Sequence, residues 1–381
     1  MRLVDAAGVA DYRAMARRRL PRFLFDYFDG AAIAEGTAAR NRHDLDALAI
    51  EQRVMVDVGT VDPSTTILGK RWSMPVALGP VGLAGLAARR GEVQAAIAAR
   101  AAGLPFCLST YGLSAFDEVD RATEGQWFQL YVLRDRGFTS DLLERVEALR
   151  PPVLVLTVDT PVSGVRYRDR RSGLNAGTTL PGKVRQAIQA AAHPRWLYDV
   201  ALRGRPLLFG SIAPAVPSAS GLGDFWAWLG ANLEPCLTWA DVDFVRQRFS
   251  GRIVVKGVMD PRDADAAIDA GVDGIIVSNH GGRQLDGARS SIVALPGVVA
   301  AAAGRVPVMM DGGIRSGVDV VKALDQGATA CLLGRAWVFA LAAGGRAGVA
   351  QLLADLQREI VVTLALSGRT TVPLHQAGTS K

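Results

Sequence analysis

The sequence predicts an α/β protein, a (β/α)8 TIM barrel with an N-terminal helical lead-in and a long insertion after strand 4. Three observations lead there. Short apolar, β-branched runs recur at intervals that leave room for a helix between them. Alanine-rich stretches of helical character fill those intervals. One phrase returns: GVDGIIVS at 271–278 is echoed by GATACLLG at 327–334, as two turns of a single β/α repeat would be. A length of 381 residues with 49% hydrophobic content suits one barrel with insertions, so 1–381 reads as a single domain.

In chain order, the first 70 residues read as the helical lead-in. Strands follow at VALG (76–79), PFCLS (105–109), WFQLYV (127–132) and VLVLTVD (153–159). The later ones are IVVKG (253–257), GIIVS (274–278), VPVMMD (306–311) and the apolar run inside 327–334. Eight parallel strands alternating with helices close most naturally as a barrel. GEVQAAIAARAA at 91–102 and PRDADAAIDAG at 261–271 read as helices, the second opened by Pro261 and closed by Gly271. From Gly345 to Leu366 the apolar positions Val349, Leu352, Leu353, Leu356, Ile360 and Leu364 follow a 3.6-residue period, and Gly368 ends that helix. Residues 161–237 show no strand and mix glycine, proline, tryptophan and arginine. Trp196, Trp226, Trp228 and Trp239, in or just past this insertion, argue for a folded segment rather than a disordered linker, one that covers the active site or makes an outside contact.

The charge balance narrows the function classes. Lys plus Arg number 43 and Asp plus Glu 37, an excess of six spread over the whole chain, with no zinc-finger spacing or basic tail. This excludes nucleic acid as the expected partner and suits anionic small molecules or an anionic lipid surface. Cys107, Cys236 and Cys331 are far apart and read as buried thiols of a reducing compartment. The N-terminus lacks the apolar core of a signal peptide, and no uninterrupted apolar stretch of about 18 residues is seen. The expectation is a cytoplasmic protein without a membrane span.

Residues at the C-terminal ends of barrel strands face the chemistry. Those positions are polar here: Ser109 and Thr110, Gln129 and Tyr131, Thr157 and Asp159, Lys256, then Ser278, Asn279 and His280. Burying a lysine or histidine there without purpose costs several kcal/mol. SNHGGRQLDG at 278–287 sets His280 and Arg283 three residues apart on a glycine-rich loop. Arg283 can grip a carboxylate with two N–H groups while His280 takes a proton from the adjacent carbinol, the pairing a 2-hydroxy acid requires. The competing readings of His280 are a metal ligand or a packed core histidine, and no Cys, His or carboxylate cluster accompanies it. DGGIRSG at 311–317 and LLGRA at 332–336 follow strands seven and eight, the usual phosphate cradle of the fold, where Arg315 and Arg335 add charge to glycine-exposed N–H groups. The plain alternative is glycine serving tight turns. Lys256 is either a Schiff-base nucleophile of a barrel lyase or a fixed positive charge beside a cofactor, and the second leaves His280 and Arg283 their roles. A non-catalytic phosphate-binding barrel stays open as a third class.

The chain resembles the FMN-dependent L-2-hydroxy-acid oxidases and dehydrogenases from about residue 10 to residue 370. The resemblance is carried by LPRFLFDYFDGAA (20–32), MPVALGPVGLAGL (74–86), WFQLYVLRDRGF (127–138), TVDTP (157–161), RYRDRRSG (166–173), VKG (255–257), SNHGGRQLDG, DGGIRSG and LLGRA. ARRGEVQAA (88–96), LRDRGF, RYRD, HPRW (193–196) and GRP (204–206) are similar to the branch that oxidises L-lactate and delivers electrons to a quinone, with the L-mandelate branch second. The resemblance implies FMN held by Pro80, Val81, Gly82, Ser109, Gln129, Thr157, Lys256, Ser278, Asp311, Gly312, Gly313, Arg315, Gly334 and Arg335. It implies substrate held and oxidised by Tyr27, Tyr131, Arg166, His280 and Arg283, with Asp159 pairing with the imidazolium that His280 becomes. Gly79 stands where many relatives carry alanine, and Gly82 where oxygen-using members do, which favours an acceptor other than oxygen. Members of this family commonly form tetramers, so a homo-tetramer is expected.

One stretch remains. Between Lys183 and Phe209, Lys183, Arg185, Arg195, Arg203 and Arg205 alternate with Ile188, Trp196, Leu197, Tyr198, Val200, Leu207, Leu208 and Phe209. That mixture suits an anionic membrane interface, placing the protein peripherally on the cytoplasmic side of the inner membrane; a folded lid or subunit contact is the alternative.

Overall fold

The computed structural model describes residues 2–174, 179–204, 209–213, 228 and 231–373. The lead-in is helical at Val9–Arg19, Arg22–Asp29 and Gly36–Ala47, but from Leu48 the chain leaves helix and ends in an antiparallel hairpin, β1 (Thr65–Ile67) and β2 (Lys70–Trp72). The expectation of a wholly helical lead-in is therefore too simple: TTILGKRW carries a turn at Leu68-Gly69, both at positive φ, between β-favouring residues. Trp72 meets Trp127 edge-on at 5.6 Å, which seats the hairpin at the N-terminal end of a barrel strand.

Eight parallel strands follow: β3 (Val76–Leu78), β4 (Cys107–Ser109), β5 (Trp127–Leu130), β6 (Val153–Thr157), β7 (Arg252–Val258), β8 (Gly274–Val277), β9 (Val308–Met310) and β10 (Ala330–Leu333). Their order is sequential, with β10 paired to β3 and a parallel Leu78–Phe106 bridge joining β3 to β4, so the sheet closes as a (β/α)8 barrel. Nearly every strand residue is buried, the consequence of a core on one face and helices on the other. Helix starts are fixed locally: Asp260 accepts from Arg262 N–H ahead of Pro261, and Ser316 and Asp319 form a capping box.

Arg335–Leu366 is the one helix among the described residues long and apolar enough to cross a membrane. Two-thirds (67%) of its most apolar window is buried, it breaks at Gly345 (φ 60°), and it packs along Val9–Arg19 and Gly91–Ala101. It serves as a core helix in this fold. The thiols divide differently from expectation: Cys107 and Cys331 are buried in strands, whereas Cys236, where the insertion returns to the barrel, is exposed.

The insertion leaves β6 and returns at β7. Its described part is helical at Tyr167–Ser172, Leu180–Ala191 and Pro194–Trp196, with one π-helical turn at Leu197–Leu202. It is fastened to the lead-in: Gln189 accepts the Phe23 N–H at 2.9 Å, and Trp196 donates to Leu86 O at 2.8 Å while meeting Phe23 edge-on.

Candidate active site

The pocket opens at the C-terminal ends of the strands. It is lined by the predicted Tyr27, Pro80, Val81, Gly82, Ser109, Tyr131, Arg166, Lys256, His280, Arg283, Asp311, Gly312, Gly313, Arg315, Gly334 and Arg335. Gln129, Thr157, Ser278 and Asp159 stand behind this wall: Gln129 Oε1 takes the Ser109 hydroxyl at 3.0 Å, and Ser278 Oγ takes Lys256 Nζ at 2.8 Å.

At the centre, His280 Nδ1 lies 3.0 Å from Asp159 Oδ1, and Nε2 faces the Tyr131 hydroxyl at 3.5 Å. Burial pushes Asp159 up, but the His280 imidazole and Lys256 outweigh it and hold the carboxyl below its usual range. Burial, then the charge of Asp159, raises the Tyr131 phenol well above its usual value, so it stays a neutral donor. A side chain at position 257 would spoil this arrangement. Gly257 has φ +115°, and a Cβ there would lie 2.7 Å from Asp159 Cβ.

Arg283 is fixed by donating Nη1 to Tyr27 O (2.6 Å) and Gly30 O (2.9 Å), and its guanidinium lies 4.9 Å from the centre of the Tyr27 ring. Arg166 reaches the same ring at 5.8 Å and is tied to Asp169 at 2.6 Å. Burial and then Arg166 lower the Arg283 pKa, the mark of two cations gathered where an anion is wanted.

Opposite, Lys256 pairs with Asp311 at 3.1 Å; burial works against its charge, but Asp311 and Asp159 win and raise its pKa. A charged, paired ammonium does not suit Schiff-base chemistry, which needs the free amine. Arg335 donates to carbonyls, those of Asp29, Gly30 and Gly281. Burial, with Arg283 and Arg315 nearby, depresses it to about 9, and burial with Arg42 depresses Arg315 to about 10. These half-buried arginines, beside Gly312 and Gly313 at positive φ, make a cradle whose charge suits a phosphate.

FMN fits the residues present. Gln129 Nε2, Thr157 Oγ1 and Asp311 Oδ1 are buried without a hydrogen-bond partner among the described residues, which supplies one donor, one hydroxyl and one acceptor around an aromatic, hydrogen-bonding ring system. At Gly334 an added Cβ would find its nearest neighbour 4.0 Å away, at Val81 Cγ2, so there is room beside the cradle. Gly79 has a packing reason: an alanine Cβ would meet Leu333 O at 3.1 Å and Leu332 Cβ at 3.2 Å. At Gly82 a Cβ would make only ordinary contacts, 3.4 Å to Tyr111 Cβ and Tyr27 Oη.

Sequence reasoning missed part of the wall. Tyr111 stacks on Tyr131 at 4.7 Å and 14°; its position just past Ser109-Thr110, at a strand end, was a usable signal. Val162 and Leu233 also line the pocket, and Leu233 arrives from the far end of the insertion through a bridge to Leu133 that no local pattern announces.

A barrel whose strand ends gather a His–Asp pair, two arginines over a tyrosine and a glycine–arginine phosphate cradle defines a flavin-dependent hydroxy-acid enzyme. The family model for FMN-dependent dehydrogenases matches residues 16–378, and this chain belongs to that family, with FMN as its cofactor. It is 54% identical to an L-lactate dehydrogenase of Caulobacter vibrioides over 363 residues, 95% of this chain and 94% of that protein. It is 50% identical to an L-lactate dehydrogenase of Xanthomonas campestris pv. campestris over 367 residues, 96% and 94% of the two chains. Among solved structures, the monotopic membrane protein (S)-mandelate dehydrogenase superposes with a TM-score of 0.90 at 34% identity, covering 98% of both chains. A mandelate oxidase with (S)-4-hydroxymandelic acid does so at 0.82 and 35%, covering 96% of both.

Proposed function

We propose that this enzyme oxidises L-lactate to pyruvate, with His280 as the base and a quinone or another non-oxygen compound as the final electron acceptor. One observation supports it most: the 3.0 Å Asp159–His280 pair, which leaves Nε2 directed into a pocket that also holds Arg283 and Tyr131. Arg283, with Arg166 behind it, would take the substrate carboxylate. Tyr131 would hold the carbinol oxygen, and His280 Nε2 would receive its proton while Asp159 stabilises the resulting imidazolium. When bound, FMN supplies the two-electron acceptor that protein side chains lack. Lys256, Ser278, Ser109, Gln129, Thr157 and Asp311 would hold its ring, and Pro80 to Gly82, Gly312, Gly313, Arg315, Gly334 and Arg335 would complete its seat and take its phosphate.

The preference for lactate draws on the 54% and 50% identical relatives and on the bulk of Tyr111 and Leu233 at the pocket wall. Anaerobic addition of L-lactate should bleach the flavin absorbance, and faster bleaching by L-mandelate would reassign the substrate. Reoxidation should be rapid with a quinone analogue and slow with oxygen; the reverse order makes the protein an oxidase.

A membrane-surface location is part of the same reading. On the helix Leu180–Ala191, Leu180, Val184 and Ile188 recur every four residues and are 76%, 51% and 65% exposed. Lys183, Arg185, Arg195 and Arg203 are exposed around them. The expected docking face needs correction in its membership: Trp196, Val200 and Phe209 are buried against the protein, and Arg205, Leu207 and Leu208 lie outside the described residues. The proposed contact is therefore the outer face of that helix with Tyr198, and the inward residues anchor it.

A further inference from the structure

The backbone at His280 is under strain. His280 has φ +58°, followed by Gly281 at +63° and Gly282 at +75°, and a residue with a Cβ keeps such a conformation only where its surroundings over-determine it. Two bonds act locally: Ser278 Oγ accepts the His280 N–H at 3.0 Å, and Asn279 Oδ1 accepts the Gly282 N–H at 3.1 Å.

Asn279 is in turn gripped from outside the barrel. Asn41, on the lead-in helix Gly36–Ala47, donates Nδ2 to Asn279 Oδ1 at 2.8 Å and accepts Asn279 Nδ2 on Oδ1 at 2.8 Å. The same Asn41 oxygen accepts the Ser291 N–H at 3.1 Å, and Asn279 Nδ2 also reaches Arg289 O at 3.0 Å. Both amides are buried, 2% and 7% exposed. The helix packs directly on the loop, since a Cβ on Gly282 would lie 2.6 Å from Ala38 N. An interior that wanted only packing would use apolar side chains, which carry no desolvation cost. A reciprocal amide pair instead fixes direction, because each amide has one productive orientation.

We propose that Asn41 is a positioning residue for His280: through Asn279 it locks the left-handed His280–Gly282 turn and so aims Nε2 at the substrate carbinol. The proposal rests on the reading of His280 as the base. It assigns to the lead-in helix a part in the chemistry that its distance in sequence, 239 residues from His280 (280 less 41), conceals.

The test uses FMN-loaded wild type, Asn41→Ala, His280→Gln and the double variant, reduced anaerobically by L-lactate in a stopped-flow instrument. Asn41→Ala should keep its flavin through gel filtration and lower the limiting reduction rate roughly 100-fold, the effect of a reacting group displaced by about 1 Å. Its half-saturation concentration should change less than threefold, and the double variant should be no slower than His280→Gln. The ring ¹⁵N resonances of His280, in protein labelled at its four histidines, should shift. Asn41→Asp keeps the size but sets an oxygen against Asn279 Oδ1; it should slow reduction likewise and serves if the alanine variant does not fold. If His280→Gln reduces faster than a tenth of wild type, the base assignment fails and the proposal with it. If His280→Gln is slow but Asn41→Ala stays within threefold of wild type, loses its flavin, or multiplies the defect of His280→Gln, the base stands and the positioning role is overturned.

Discussion

His280 joins two demands at one residue: a nitrogen open to the pocket and a second nitrogen held by Asp159 at 3.0 Å. On the proposed role, His280→Gln keeps the flavin but lowers the reduction rate by about 10²–10⁴-fold, the usual worth of a general base. A variant retaining more than a tenth of the wild-type rate sinks the assignment. Asp159 gives a pH prediction with a definite sign. Its folded pKa is depressed, so its stabilisation is complete above the unfolded value near 3.9 and disappears as pH falls through the lower folded value. Urea midpoints of wild type and Asp159→Asn should therefore differ at about pH 5 and converge below about pH 4. A gap that widens on acidification contradicts the sign. Arg283 is held by two carbonyls and the Tyr27 ring, a geometry made for a planar fork. Arg283→Lys should raise the lactate KM and slow reduction, with a loss of about 1–3 kcal/mol in kcat/KM for a charged hydrogen bond to substrate. Unchanged kinetics would show a structural arginine. His280 and Lys256 are legible in the sequence because polar residues at the end of an apolar strand have few structural reasons to be there. Asn41 is not, since an asparagine in a helix carries no such cost until its neighbours are known, and Tyr111 is marked only by its place just past a strand end.

At the scale of elements, the loops after β9 and β10 place the half-buried Arg315 and Arg335 together with no carboxylate salt bridge to either among the described residues, so the pair lacks its full counter-charge until an anion arrives. Replacing both with alanine should leave the far-ultraviolet circular dichroism unchanged and yield protein partly free of flavin after gel filtration. Full occupancy in that double variant puts the phosphate elsewhere. The insertion gives a second element-scale prediction. Serine at Leu180, Val184 and Ile188, all exposed, should cost little stability but reduce co-sedimentation with anionic liposomes at low salt, where basic side chains each contribute about 1 kcal/mol. Equal sedimentation of wild type and the triple variant, or none by either, leaves the segment a lid. The insertion shows where sequence patterns mislead. Trp196 reads as an interfacial aromatic, yet its indole N–H finds Leu86 O and its ring finds Phe23, partners more than 100 residues away. Amphipathic composition says that a residue seeks a boundary, not which of two boundaries it meets.

At the scale of the molecule, the barrel, the lead-in and the C-terminal helix surround the proposed FMN seat, whose Gln129, Thr157 and Asp311 keep polar atoms without a partner among the described residues, so FMN should stabilise the fold as a whole. At 100 times its dissociation constant a ligand contributes about 2.7 kcal/mol, and the apoprotein should melt several degrees below the holoenzyme, the gap shrinking in Arg335→Ala. Coincident melting of apo and holo protein would contradict a buried seat. The sequence by itself determined the barrel, because eight apolar strand runs at helix-length spacing have one economical closure, and it determined which strands bring His280, Lys256 and Asp159 toward the pocket, because a residue's place late in or just past its own strand is a local property. Only the tertiary structure decided that Asn41 grips Asn279, that Leu233 returns to the pocket wall, and that Trp196 turns inward. The physical reason is the same in each case: these contacts join parts of the chain far apart in sequence, their energies depend on partners that exist only once the barrel has closed, and no local periodicity records them.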